Sequence, residues 1–131
     1  MKYIKDTIKK YIGFEFPDCV EFLVAENGLK ILSNQGKVTV CYSEIRQIVR
    51  AALLLKSHGI ESDYILEEKC DFQDVCLLAD CSGNAVINVE SAKKWICLAA
   101  ALGYNCFMLG TADTYEVQRG LFLDEPLCSR E

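Results

Sequence analysis

At 131 residues, 51% of them hydrophobic, the chain has enough apolar material for one ordinary domain, or for a small domain with an appended unit. A formal net charge of -5 argues against a phosphate-backbone partner, because nucleic-acid-binding surfaces concentrate positive charge. No apolar run approaches the about 20 residues of a membrane-spanning helix, so neither nucleic acid nor membrane is an expected partner.

The eight cysteines, Cys19, Cys41, Cys70, Cys76, Cys81, Cys97, Cys106 and Cys128, contain no Cys-x-x-Cys pair, and the single histidine, His58, is distant from most of them. That spacing does not make a zinc site. The N-terminal residues lack the charged and apolar regions of a secretory signal, so a reducing, cytoplasmic setting is expected and a disulfide framework is not. Cys41, Cys76, Cys97 and Cys106 lie within apolar runs and read as small buried hydrophobes. No metal or cofactor is expected.

Tyr3, Ile4, Thr7, Ile8, Tyr11 and Ile12 recur at helical spacing with lysines between them, and Gly13 follows as a stop signal. Lys2, Lys5, Lys9 and Lys10 read as the solvated face of that helix. Val20 to Ala25, Leu29 to Ser33 and Lys37 to Tyr42 are three β-prone runs separated by Glu26-Asn27-Gly28 and Asn34-Gln35-Gly36. Asn-Gly supplies the positive φ that tight hairpins require, which predicts an antiparallel three-stranded meander. Val38, Val40 and Tyr42 alternate with Lys37, Thr39 and Cys41, the pattern of one buried and one partly wet face.

Ser43 is placed to cap a second helix, whose core stripe is Ile45, Ile48, Val49, Ala52 and Leu55, with Arg46, Gln47, Arg50 and Lys56 facing away. Gly59 ends it, and His58 in the last turn suits the helix C-terminus better than it suits catalysis. Asp63 to Glu68 is a further strand, and Lys69 to Asp74 is a linker. Val75 to Ala79, a helix over Glu90 to Leu102 and Cys106 to Leu109 then form one βαβ unit, whose strands must be parallel because the crossover is long. Trp95, Ile96, Leu98, Ala99 and Leu102 read as the apolar face of that helix, with Trp95 a packing residue rather than a sugar platform.

The expected fold is therefore α+β: an antiparallel β-meander with packed helices over residues 1–73, a βαβ unit over 74–117, and a divergent tail over 118–131. In parallel units ligands bind at the strand C-terminal ends, which carry Asp80 and Asp113 in their loops. Apolar faces and strand edges left open by a single βαβ unit predict a homodimer.

Asp80-Cys81-Ser82-Gly83-Asn84-Ala85-Val86-Ile87, Val89-Glu90-Ser91-Ala92-Lys93-Lys94, Ala101-Leu102-Gly103-Tyr104-Asn105 and Asp113-Thr114-Tyr115-Glu116-Val117 together resemble the start of the catalytic barrel of glycoside hydrolase family 20, the β-N-acetylhexosaminidases. Residues before about 60 are similar to that family's N-terminal α/β domain only loosely. The resemblance implies an exo-glycosidase in which the substrate's own 2-acetamido oxygen is the nucleophile, an exception to the two-carboxylate scheme. It also implies an N-acetylhexosamine-containing glycan as partner, with Asp80 and Asp113 as remnants of substrate binding.

The family's general acid and the aspartate before it follow the fourth barrel strand, and a full barrel needs about 200 to 250 residues. No catalytic residue is therefore expected here. The family's Asp-x-x-Arg-Asn arginine, which holds sugar hydroxyls, is replaced by Gly83, and Gly110 and Ala112 replace a tyrosine and a glutamate. Asp124-Glu125 beside Pro126 reads as a solvated tail. The expectation is a truncated, divergent relative without hydrolytic activity alone. The alternatives are one subunit of a split or oligomeric glycosidase, and a non-catalytic small-ligand or protein-interaction module.

Overall fold

The computed structural model describes residues 1–69, 72–81 and 87–110. The element order is α1 (Lys2–Ile12), β1 (Val20–Val24), β2 (Leu29–Asn34), β3 (Lys37–Tyr42), α2 (Gln47–His58), β4 (Tyr64–Glu68), β5 (Cys76–Asp80), α3 (Val89–Ala101) and β6 (Cys106–Gly110). The α+β class follows directly: among the described residues there are three helices, a mixed four-stranded sheet and a separate two-stranded parallel sheet. No helix among the described residues is long and apolar enough to cross a membrane.

The larger sheet has the order β1-β3-β2-β4, and this corrects the expected meander. β2 and β3 do form a hairpin, closed by Gln35 at φ 48 and Gly36 at φ 74, the two positive φ values a primed turn needs. Gln35 is held there in part by its N–H, which donates to Asp63 Oδ1 at 2.7 Å. β1, however, pairs with β3 in parallel rather than with β2. The link from Ala25 to Gly28 arches over the end of β3: the Ala25 N–H donates to the Tyr42 carbonyl at 2.8 Å, and the Ser43 N–H donates to the Gly28 carbonyl at 3.2 Å. Gly28 is required by this arch. Its φ is +68, and a Cβ added there would lie 2.7 Å from the Glu68 carbonyl oxygen.

Strand alternation puts Val20, Val38 and Ser33 in one row of the inner face and Phe22, Val40, Ile31 and Leu66 in the next. Val38, Val40 and Ile31 are fully enclosed, whereas Thr39 and Cys41 on the other face are half-exposed, as their alternation predicts. The inner face is covered by α2 through Ile48, Ala51, Ala52 and Leu55, and Ile8 and Ile12 of α1 complete this layer. Cys97 and Ala101 of α3 enter the same core. Ser33, a buried polar residue, has its hydroxyl aimed at the Ile60 carbonyl at 3.4 Å, so the cost of enclosing it is offset.

Three residues expected to face away from α2 are instead what joins it to its neighbours. Arg50 forks onto Glu68 of β4, with Nε to Oε2 at 2.9 Å and Nη2 to Oε1 at 2.7 Å, and donates from Nη1 to the Ala101 carbonyl at 3.0 Å. Arg46 does the same one turn earlier, with a fork onto Glu44 and Nη1 donating to the Gly103 carbonyl at 3.3 Å. Lys56 donates to the Ile12 carbonyl at 2.7 Å. The carbonyls at a helix C-terminus lack intrahelical donors and carry partial negative charge, so cations from α2 terminate both α1 and α3. Ser43 is not the helix cap that was expected. Gln47 Oε1 accepts the N–H groups of Ser43 and Glu44 at 2.8 and 3.1 Å, and the Ser43 hydroxyl contacts that same oxygen at 3.3 Å.

α3 begins at Asn88, whose side chain accepts the Ser91 N–H at 2.8 Å. Its buried residues are Cys97, Ala99 and Ala101, while Trp95 at 49% exposure, Ile96, Leu98 and Leu102 are on the surface. Of the expected apolar face, Ala99 is buried and the four large residues are not. The helix is apolar almost all round from Trp95 to Leu102, so periodicity cannot choose a side. The small side chains permit the close approach to α1 and α2. At the other end, Glu90 accepts from Lys10 at 3.0 Å, Tyr11 at 3.0 Å and Lys93 at 3.1 Å, which ties α1 to the first turn of α3.

Replacing Arg50 by Ala should destabilise the chain by on the order of 1–2 kcal/mol, a charged hydrogen-bond value discounted because Glu68 is partly solvated. Arg50→Lys should recover only part of this, since an ammonium cannot make the fork. Chemical denaturation checks it, and an Arg50→Ala midpoint equal to that of the parent would contradict the assignment. Glu90 gives a pH dependence. Its hydrogen bonds, first to Lys10 and then to Lys93 and Tyr11, lower its pKa from the ordinary 4.5 to about 2. A carboxyl whose folded pKa is depressed contributes stability above its unfolded pKa and loses it as pH falls toward the folded value. Glu90→Gln should therefore flatten the fall in stability between 4.5 and about 2, most visibly at low salt because the network is exposed. Parallel acid curves for the two proteins would contradict this.

Candidate functional site

β5 and β6 pair in parallel with Cys76 opposite Cys106, Leu78 opposite Met108 and Asp80 opposite Gly110. Alternation puts these six residues on one face and Leu77, Ala79, Phe107 and Leu109 on the other. On the first face Cys76, Leu78 at 62%, Met108 at 54% and Asp80 are exposed. The register is fixed at the start of the strands by Asn105. Its Oδ1 accepts the Val75 N–H at 2.7 Å, its Nδ2 donates to the Gln73 carbonyl at 2.7 Å, and its own N–H donates to the Val75 carbonyl at 3.0 Å. Periodicity gave no sign of this clamp. Its one trace in the sequence is an amide side chain immediately ahead of an apolar run.

Asp80 is on the C-terminal end of β5, as the sequence predicts, with its Oδ1 3.6 Å from where a Cβ on Gly110 would be. The ladder continues for one further bond, from the Cys81 N–H to the Gly110 carbonyl at 2.7 Å, and Cys81 is buried behind it. Of the two aspartates expected to act together, Asp113 lies outside the described residues, as do Gly83, Ala112 and the Asp124-Glu125 pair. Among the described residues, β5 and β6 thus bring one carboxylate to their C-terminal ends. An exposed carboxylate can accept hydrogen bonds from hydroxyl or amide groups, but one alone does not supply both an acid and a base. No group of three or more His, Cys, Asp or Glu among the described residues is arranged to hold a metal ion.

Two other concavities bear on function. A cavity of about 420 Å³ lies where β4, the start of α2 and the end of α3 meet, and it is lined by Arg46, Arg50, Glu67, Glu68 and Lys69. Both arginines are already committed to carboxylates and to the Ala101 and Gly103 carbonyls, so this charged cleft is a joint of the fold rather than an anion site. A groove of about 570 Å³ between α1 and α3 is mostly apolar, floored by Val49, Ile96, Cys97 and Ala100 and rimmed by Lys10 and Lys93. The same two lysines hold Glu90. His58 is exposed at the end of α2, its ring centroid 5.8 Å from that of Tyr64, far along the chain from Asp80.

Set against models of known protein families and against curated protein sequences, the chain matches none.

Proposed function

We propose that this chain is a divergent relative of family 20 glycoside hydrolases that carries an N-terminal α+β region and the first βαβ unit of the barrel, and that it does not hydrolyse glycosides alone. The observation that carries the reading is the β5-α3-β6 unit itself, two parallel strands with Asp80 at the C-terminal end of the first, where barrel enzymes place polar contacts to substrate. The resemblance runs over Asp80–Ile87, Val89–Lys94 and Ala101–Asn105 of this unit and on to Asp113–Val117. Asp80 then acts as a remnant contact to an N-acetylhexosamine hydroxyl, and Asp113 is its expected companion. The substitution of Gly83 for the family's arginine removes a charge-assisted fork to the sugar.

A second reading, in which the chain is one part of a split or oligomeric glycosidase, is favoured by the bare sheet face. Leu78 and Met108 are more than half exposed, and Trp95, Leu98 and Leu102 are uncovered on the adjoining helix. A parallel sheet is stable when both faces are covered, and a two-stranded one is marginal by itself. Completion by further strands, from another polypeptide or from a second copy of this chain, would satisfy both requirements. A binding role for the strand ends without hydrolysis is compatible with the same surface.

Incubation of the purified chain with a chromogenic N-acetyl-β-glucosaminide tests the proposal. No turnover above a protein-free blank is expected, and turnover that is abolished by Asp80→Asn would overturn it. Light scattering across a concentration series checks the completion reading: a mass that rises with concentration is expected, and a strictly monomeric mass would contradict assembly with a second copy.

A further inference from the structure

Cys76 and Cys106 are cross-strand partners in the β5-β6 ladder. Neighbouring strands lie about 4.8 Å apart, inside the about 4.4 to 6.8 Å of Cα separation that a disulfide spans. Both side chains emerge on the bare face, Cys76 exposed and Cys106 half-exposed, so a small oxidant can reach them. The Cys106 thiol is hydrogen-bonded to Cys76, which raises its pKa, with burial and the Asp74 charge adding to the effect. Among the described residues no other two cysteines face each other across a strand pair: Cys41 lies opposite Leu23 and Lys30, and Cys97 is buried in a helix. Cys76 is also not the buried hydrophobe its apolar neighbours predict, and neither thiol has a role in the proposed function.

We infer that Cys76 and Cys106 form a redox modification site that exchanges with low-molecular-weight disulfides and closes to an intramolecular disulfide. The exposed Cys76 loses its proton to solvent and attacks one sulfur of a disulfide such as oxidised glutathione. One glutathione thiolate leaves and takes up a proton, and Cys76 is now in a mixed disulfide. Cys106, which kept its proton while bonded to Cys76, then gives it to solvent and attacks Sγ of Cys76, expelling the second glutathione. Two protein thiols are oxidised to one disulfide, and one glutathione disulfide is reduced to two thiols. The new bond spans a pair of strands that no third strand among the described residues supports, and it encloses α3 within the closed loop. Oxidation therefore braces the element of the fold least able to hold itself. A solvent-exposed bond of this kind is readily reduced again, which suits a reversible site.

The test is equilibration of the full chain in glutathione redox buffers, acid quenching, alkylation of free thiols and peptide mapping. The Cys76–Cys106 linked peptide should exceed any other linked pair by on the order of tenfold, equivalent to about 30 mV of reduction potential. Cys106→Ser should stop at the glutathione adduct of Cys76, and amide exchange in β5 and β6 should slow on oxidation of the parent chain but not of this variant. Retention of the Cys76 adduct in the parent to the same extent as in Cys106→Ser, or preferential pairing of Cys76 with another cysteine, would overturn the inference. Unchanged exchange in β5 and β6 despite complete linkage would overturn the bracing role.

Discussion

The hydrogen bonds from Arg46, Arg50 and Lys56 to the carbonyl ends of neighbouring helices are the constraint on which the arrangement depends. α2 has one apolar side against the sheet, where Ile48, Ala51, Ala52 and Leu55 meet Ile31 and Val40. That side alone would fix α2 on the sheet and leave α1 and α3 to be placed by apolar contact, which is non-directional. The three cations add direction, because each reaches a specific carbonyl at a helix end. Arg50 also draws in Glu68, so one side chain joins β4, α2 and α3.

The position of α3 then follows. Its C-terminus is held by Arg46 and Arg50, and its first turn is held through Glu90 by Lys10 and Tyr11. With both ends fixed, the small residues Cys97 and Ala101 face α1 and α2, and the large residues Trp95, Leu98 and Leu102 are left outside. Leu78 and Met108 of the two-stranded sheet are likewise exposed. Exposed apolar side chains on a two-stranded parallel sheet leave it short of cover, and the completion reading under the proposed function has further strands supply it.

Much of the local structure was legible in the sequence. Each helix and strand was expected within a few residues of where it lies, because Gly13 and Gly59 mark helix ends and Val38-Thr39-Val40 marks a central strand. Strand order was not legible. Asn27-Gly28 and Gln35-Gly36 carry similar local turn signals, yet only the second closes a hairpin, and what separates them is the insertion of β3 between β1 and β2. The grips of Arg46, Arg50 and Lys56 were missed for a related reason. A cation off the apolar stripe reads as solvated until the helix end that it reaches is known. At the site, Asp80 was placed at a strand end by pattern alone, whereas the Asn105 clamp and the facing of Cys76 and Cys106 required the register.

The account makes α3 part of the same cooperative structure as α2, joined through a shared core and through Arg46 and Arg50, even though its own two strands belong to a separate sheet. Native-state hydrogen exchange across a denaturant series tests this most directly. The account predicts that the amides of α3 near Cys97 open in the same step as those of α2 near Ala51, at the free energy of global unfolding. Exchange of the α3 amides through an earlier, separate opening that leaves α2 protected would contradict it.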